Sequence, residues 1–207
     1  MKAGRRLRRK QPQDAPASLS VNAVFLVGFM GAGKSSVGRA LGQRLNWIFE
    51  DLDDRIEARE GRKVADIFRD SGESEFRRAE HAALQQILRE LSGGGARIVA
   101  LGGGAFVQHP NAALLKGSKV PTVFLDARVE ELWHRCCTQA TESGTERPLL
   151  RDMDQFRKLY TTRRMNYAKA SLKIRTDSRP VEVIAADIAK KLKLKEIALR
   201  TEQGEVE

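Results

Sequence analysis

Short apolar runs recur along the chain, separated by longer stretches in which apolar positions return every three or four residues. Ala23-Val24-Phe25-Leu26-Val27 reads as a buried strand. Behind it, Val37, Leu41 and Leu45, with Ala40 beside them, share one helical face. Trp47 to Asp51 is a second strand ending in acid. Polar helical patterns follow, broken near Gly61 and Gly72, and the longest runs from about Glu73 to Leu91. Arg97 to Leu101 is a third strand leading into Gly102-Gly103-Gly104, and His109 to Leu115 a short helix. Pro121 to Leu125 is a fourth strand, Val129 to Cys137 a helix, and residues 138–152 a polar, turn-rich mobile lid. A helix through Asp154 to Ala168, a strand over Leu172 to Ile174 and a helix over Val181 to Leu192 complete the pattern. Strands alternating with helices predict a parallel sheet covered on both faces.

The first strand and helix enclose Gly28-Phe29-Met30-Gly31-Ala32-Gly33-Lys34-Ser35, which spells GxxxxGK[ST]. Glycines there let backbone amides close around a polyphosphate, and the helix adds its positive end. Lys34 reaches the outer phosphates, and Ser35 offers a hydroxyl to Mg²⁺. The strand–loop–helix context is what the motif requires, so the chain is expected to bind a nucleoside triphosphate.

At 207 residues, one domain with short extensions is expected, and no apolar run approaches the roughly 20 residues of a membrane span. The first twenty residues lack a secretory apolar stretch. Cys136 and Cys137 are adjacent and form no disulfide framework, which points to a reducing cytoplasm. His81, His109 and His134 show no metal-ligand spacing. The formal charge of +10 suggests nucleic acid, but six basic side chains against Asp14 in residues 1–20 supply half of it. That Pro-, Gln- and Ser-containing segment reads as a solvated, disordered tail, which argues against nucleic-acid binding by the folded part.

Ligands of doubly wound sheets gather at the carboxyl ends of the strands. Four features fall there: the phosphate loop, Asp51-Leu52-Asp53, the triple glycine and the lid. Strand three ends without an acid, so Asp51 is the substitute metal acid, acting directly or through water. Alternation along an extended backbone would put Asp53 on the same side as Asp51. Asp53 then either accepts a substrate hydroxyl and its proton, or caps the helix beginning near Arg55. Arg77 and Arg163 stand in separate helices, and their convergence would select a carboxylate substrate. Arg147, in Glu146-Arg147-Pro148-Leu149-Leu150, would come in with the lid to neutralise transferring phosphate.

These residues, with Ala65-Asp66-Ile67-Phe68 and Gly72-Glu73-Ser74-Glu75-Phe76-Arg77, resemble shikimate kinase over about residues 21–193. The resemblance implies a three-layer P-loop NTPase fold with a five-stranded parallel sheet in order 2-3-1-4-5. Such a fold is like the nucleoside monophosphate kinases and carries a lid at about 138–152. It implies transfer of the ATP γ-phosphate to the 3-hydroxyl of shikimate, with Mg²⁺, by a cytoplasmic monomer that needs no membrane. By position, Gly31, Ala32, Gly33, Lys34, Ser35 and Ser36 hold ATP, and Ser35 ligands Mg²⁺ with Asp51 through water. Asp53 and Gly103 hold the substrate's hydroxyl side, while Arg77 and Arg163 grip its carboxylate. Lys34, Asp53 and Arg147 form the catalytic set, and Arg179 lines the adenine. Several positions depart from the family. Ser36 replaces a threonine, no proline follows Arg163, and Arg164 competes with Arg163 for the carboxylate role. The other lid arginine is unassigned, with Arg135 a candidate. Residues 1–20 and 194–207 fall outside as tails. The rival readings are a gluconate kinase, a non-catalytic nucleotide-binding homologue, and a nucleic-acid module resting on the basic tail.

Overall fold

The computed structural model describes residues 22–143, 150 and 152–195. Five strands, β1 (Ala23–Val27), β2 (Ile48–Asp51), β3 (Arg97–Ala100), β4 (Thr122–Asp126) and β5 (Leu172–Arg175), form one parallel sheet in order β2-β3-β1-β4-β5. Every residue of β1 and β4 is buried, which is why both read as unbroken apolar runs: helices cover both faces of a parallel sheet. The edge strands carry the exceptions, with Ile48 exposed at the start of β2 and Lys173 and Arg175 exposed on β5.

Seven helices accompany the strands among the described residues: α1 (Lys34–Leu45), α2 (Leu52–Glu60), α3 (Val64–Ser92), α4 (His109–Ser118), α5 (Val129–Ser143), α6 (Met153–Tyr167) and α7 (Val181–Lys191). Val37, Leu41 and Leu45 form the buried stripe of α1, as their spacing requires. On the same helix Gly38 lies against β2, where a side-chain carbon would stand 2.3 Å from the Phe49 ring. Close helix–strand packing therefore outweighs the roughly 1 kcal/mol that glycine costs in a helix. Gly61 ends α2 in the left-handed conformation, and Gly72, at φ 76°, kinks α3 at the predicted break.

Register carries the chemistry to one edge. Leu26 pairs with Ala100, and Ala100 pairs with Asp51, so the acid ending β2 comes level with the strand that feeds the phosphate loop. An aromatic cluster lies below that loop. Phe29 meets Phe156 edge-on at 5.0 Å and Tyr160 at 5.6 Å, and Trp133 meets Phe156 at 5.1 Å. These contacts fix α6 against the loop, each worth about 0.5–1.5 kcal/mol beyond its buried area.

Two readings change and one element is added. The stretch after Cys137 is not all lid, because α5 continues to Ser143. Thr138 and Thr141 donate their hydroxyls to carbonyls one turn back, at 3.1 Å each, so the polar composition is that of a solvated helix. A 3₁₀ turn over Ala105–Val107 follows the triple glycine, a length too short for periodicity to register. At the other end, Leu194 donates its backbone N–H to Ala189 at 2.9 Å and packs on the core, so ordered structure passes residue 193.

Candidate active site

The phosphate loop wraps as its glycines allow. Gly31 and Gly33 take φ of 75° and 87°, which turn successive amides inward. Gly31 has a second reason to be glycine. A side-chain carbon there would stand 2.6 Å from the Leu132 carbonyl and 2.9 Å from Cys136 Sγ. Lys34 lies back across the loop and donates Nζ to the carbonyls of Gly28 at 3.0 Å and Phe29 at 3.1 Å. Ala32 is buried, and Ser36 is exposed on the first turn of α1.

Ser35 donates its hydroxyl to Asp51 Oδ2 at 2.8 Å. The other oxygen of Asp51 accepts the backbone N–H of Asp53 at 3.1 Å, which makes Asp51 the N-cap of α2. The cap expected of Asp53 thus belongs to Asp51. The two carboxylates are not alternate residues of one extended strand either, since the chain turns into helix at Leu52.

Asp53, in the first turn of α2, is freed for another task. Its Oδ1 is buried and has no hydrogen-bond partner among the described residues. Burial, then the neighbouring charge of Asp51, pushes its carboxyl up to about 6, while Lys34 pulls the other way.

Close packing accounts for two of the three glycines in Gly102-Gly103-Gly104, the first and the last. A side-chain carbon on Gly102 would be 2.9 Å from Asp53 Oδ1, and one on Gly103 would be 3.9 Å from Arg163 Nη1. One on Gly104 would be 2.7 Å from Arg77 Nη1 and 2.8 Å from Nη2. Each glycine faces one of the three side chains expected to hold the substrate. Arg163 also donates Nη1 to the Gly103 carbonyl at 3.4 Å, and the buried Tyr167 hydroxyl donates to the same oxygen. Burial pushes that phenol up to about 12, so it stays a donor.

Arg77 is held by Glu73 at 2.9 Å and by Glu80 at 3.0 Å. Glu80 is 1% exposed; burial raises its pKa while the Arg77 guanidinium lowers it, and the balance lies above the ordinary carboxylate range. Behind Glu80, Asn111 donates Nδ2 to it at 3.4 Å, and His81 Nδ1 contacts Asn111 Oδ1 at 2.7 Å. Sequence reasoning missed Glu80, although its position three residues after Arg77 was a readable signal of pairing.

The two adjacent arginines meet different partners. Arg164 turns to buried Asp126 at 3.1 Å, which Lys173 also meets at 2.8 Å and the Tyr160 hydroxyl at 3.0 Å. Burial alone would raise Asp126, but hydrogen bonds from Arg164, Lys173 and Tyr160 hold it below the ordinary range. Arg163 is left on the glycine side. Arg135 pairs with Glu131 at 3.0 Å and reaches the Thr176 carbonyl at 2.9 Å and the Gly31 carbonyl at 3.4 Å. Arg179, beyond β5, pairs with Asp187 at 3.2 Å. Arg147 lies outside the described residues.

The donor set fits the expected ligands. An anion nest with a lysine suits phosphates, and one hydroxyl beside one carboxylate suits Mg²⁺, which keeps waters and shares phosphate oxygens. Among the described residues no group of three His, Cys, Asp or Glu offers an all-protein metal cage. No helix there is long and apolar enough to cross a membrane.

A family model described as shikimate kinase matches residues 30–193. Shikimate kinase of Streptomyces avermitilis is 40% identical over 181 residues, covering 86% of this chain and 99% of that protein. The enzyme of Persephonella marina is 34% identical over 163 residues, 78% of this chain and 93% of its own. Among solved structures, shikimate kinase from Acinetobacter baumannii in complex with shikimate aligns with TM-score 0.72 at 33% identity, over 84% of this chain and 93% of that one. A gluconokinase from Sinorhizobium meliloti aligns with TM-score 0.54 at 17% identity, covering 84% and 92%, and shares the fold alone.

Proposed function

The chain belongs to the shikimate kinase family, and on that premise we propose how its side chains carry phosphoryl transfer to shikimate. The enzyme moves the γ-phosphoryl group of ATP to the 3-hydroxyl of shikimate, giving shikimate 3-phosphate on the route to aromatic amino acids. One observation carries the assignment of roles: Asp53, Arg163 and Arg77 each abut one residue of Gly102-Gly103-Gly104. A hydroxylated ring acid laid on that glycine floor meets a carboxylate at one end and two guanidinium groups at the other.

Gly31, Ala32, Gly33, Lys34, Ser35 and Ser36 hold the nucleotide's phosphates. Lys34 exchanges its carbonyl partners for phosphate oxygens, so its charge is available without a large search for position. Ser35 and, through water, Asp51 hold Mg²⁺, which when bound neutralises charge between the phosphates. Arg77 and Arg163 grip the shikimate carboxylate, and Glu80 and Glu73 keep Arg77 in place. Gly103 gives close backbone approach to the ring. Asp53 accepts the 3-hydroxyl on its carboxylate, orients it in line and takes its proton as the phosphoryl group arrives. A pKa near 6 suits that task near neutral pH. Arg147 neutralises charge on the transferring phosphoryl group, and Arg179 follows β5, at the strand end where the adenine would lie. The working form is a cytoplasmic monomer with small-molecule substrates.

ADP release with ATP and Mg²⁺ tests this reading, with shikimate, quinate and gluconate supplied separately. Turnover with shikimate at least tenfold above either control (about 1.4 kcal/mol of discrimination) is the expected result. Equal turnover with gluconate, which carries the same carboxylate on an open chain, would remove it, because the site would then not select the hydroxylated ring.

A further inference from the structure

A second concavity of about 550 Å³ lies between α4 and the end of α6, away from the phosphate loop. Phe106, Val107, Leu115 and Val120 give it apolar walls, and Lys116, Lys119 and Lys169 stand around it with no acidic side chain in the lining. None of the three lysines makes an ion pair among the described residues; Lys169 only reaches Asn166 Oδ1 at 3.1 Å. At its base the Thr122 and Ser171 side chains bond each other and each other's backbone, so they offer little to a ligand. The helices α4 and α6 both end here, and their carbonyl termini give the lysines a partial reason to be present. Each helix end is worth about half a negative charge, however, so three lysines leave about two positive charges over. A volume in the range of small-ligand sites, apolar walls and unbalanced cations together select one chemistry.

We propose that this concavity binds a small apolar anion, a carboxylate or sulfonate on an aromatic body, and that its occupancy weakens binding of the acid substrate. The route is short. Phe106 and Val107 form the 3₁₀ turn that continues the glycine floor, with Ala105 N–H on the Gly102 carbonyl at 3.0 Å and Val107 N–H on Gly104 at 3.1 Å. Asn166, in the same lining, precedes Tyr167, whose hydroxyl holds the Gly103 carbonyl. A body pressed against that turn moves the floor on which Asp53, Arg163 and Arg77 converge.

The probe is naphthalene-2-sulfonate, with neutral 2-naphthol as its control, titrated calorimetrically into the full chain with ADP and Mg²⁺ present. Sulfonate affinity should fall about tenfold in Lys116→Gln/Lys169→Gln, two exposed positions that leave the fold undisturbed, while 2-naphthol binding stays level. Ala112→Trp, which fills the space, should abolish both. Sulfonate affinity unchanged in both variants overturns the site. The coupling rests on the acid site proposed above, and the calorimetry does not, so failure of that site leaves the binding result readable. In the wild type, sulfonate should raise KM for shikimate, and in Ala112→Trp it should not. An effect that persists in Ala112→Trp places the sulfonate in the acid cleft and overturns the coupling.

Discussion

Gly104 leaves no room beside Arg77: a side-chain carbon at the glycine would stand 2.7 Å and 2.8 Å from the two terminal guanidinium nitrogens. The backbone of Gly104 is ordinary right-handed, so the exclusion is one of space and not of conformation. Gly104→Ala should therefore fold normally and push the guanidinium off its place above Glu80. Steady-state kinetics should give a KM for shikimate about tenfold higher with KM for ATP unchanged, the pattern of lost substrate binding. An unchanged KM for shikimate would separate Arg77 from the carboxylate.

The raised pKa of Asp53 has consequences for rate and for stability. A base must be ionised, so kcat/KM should climb as pH rises through about 6 and level above it. Stability runs the other way. The folded carboxyl holds its proton more tightly than the unfolded one, so the cost to the fold grows as pH rises from about 4 and is complete above about 6. At pH 7 that opposition is about 3 kcal/mol. Asp53→Asn should accordingly raise the melting midpoint by roughly 6–12 °C at pH 7 and leave it near the wild-type value at pH 4. A lower midpoint at pH 7 would mean that the carboxylate is well satisfied in the fold.

Arg163 and Arg164 are neighbours with different partners, the Gly103 carbonyl and Asp126. Arg163→Met should raise KM for shikimate by about tenfold or more, since a charged bidentate contact is worth about 1.5–3 kcal/mol. Arg164→Met should leave both KM values within about twofold. It should lower the melting midpoint by about 3 °C, because Asp126 is 2% exposed and loses one of its cations, and because a half-exposed pair is worth about 1 kcal/mol. The reverse pattern in kinetics would exchange their roles.

Asp51 serves Ser35, the cap of α2 and the charge environment of Asp53. Asp51→Asn keeps a capping oxygen and removes the charge. The Mg²⁺ concentration for half-maximal rate should rise by about tenfold, and the acid limb of the pH–rate profile should move to lower pH, because a charge that raises Asp53 is gone. An unmoved Mg²⁺ dependence would place the metal elsewhere.

Much of this was legible in residues. Apolar runs marked β1 and β4 because parallel strands are buried on both faces, and Gly61 and Gly72 marked helix breaks because each takes positive φ. The order β2-β3-β1-β4-β5 came from family resemblance, since periodicity does not say which strands pair. The convergence of Arg77, Arg163 and Asp53 on three glycines depends on packing between α2, α3, β3 and α6, which no local pattern encodes. Polar composition misled at residues 138–143, where a solvated helix and a loop use the same residue types. The capping role went to Asp51 rather than Asp53 for a similar reason: either aspartate suits a helix start, and only the strand's last hydrogen bond decides between them.

The most direct measurement is turnover and nucleotide affinity of Asp53→Asn, made side by side on the same preparation. The expected result is kcat lower by about 10²–10⁴-fold, with Kd for ATP within about twofold of wild type and the melting midpoint raised. A kcat within about tenfold of wild type would contradict the central claim, because the proton of the attacking hydroxyl would then leave by a route that does not pass through this carboxylate.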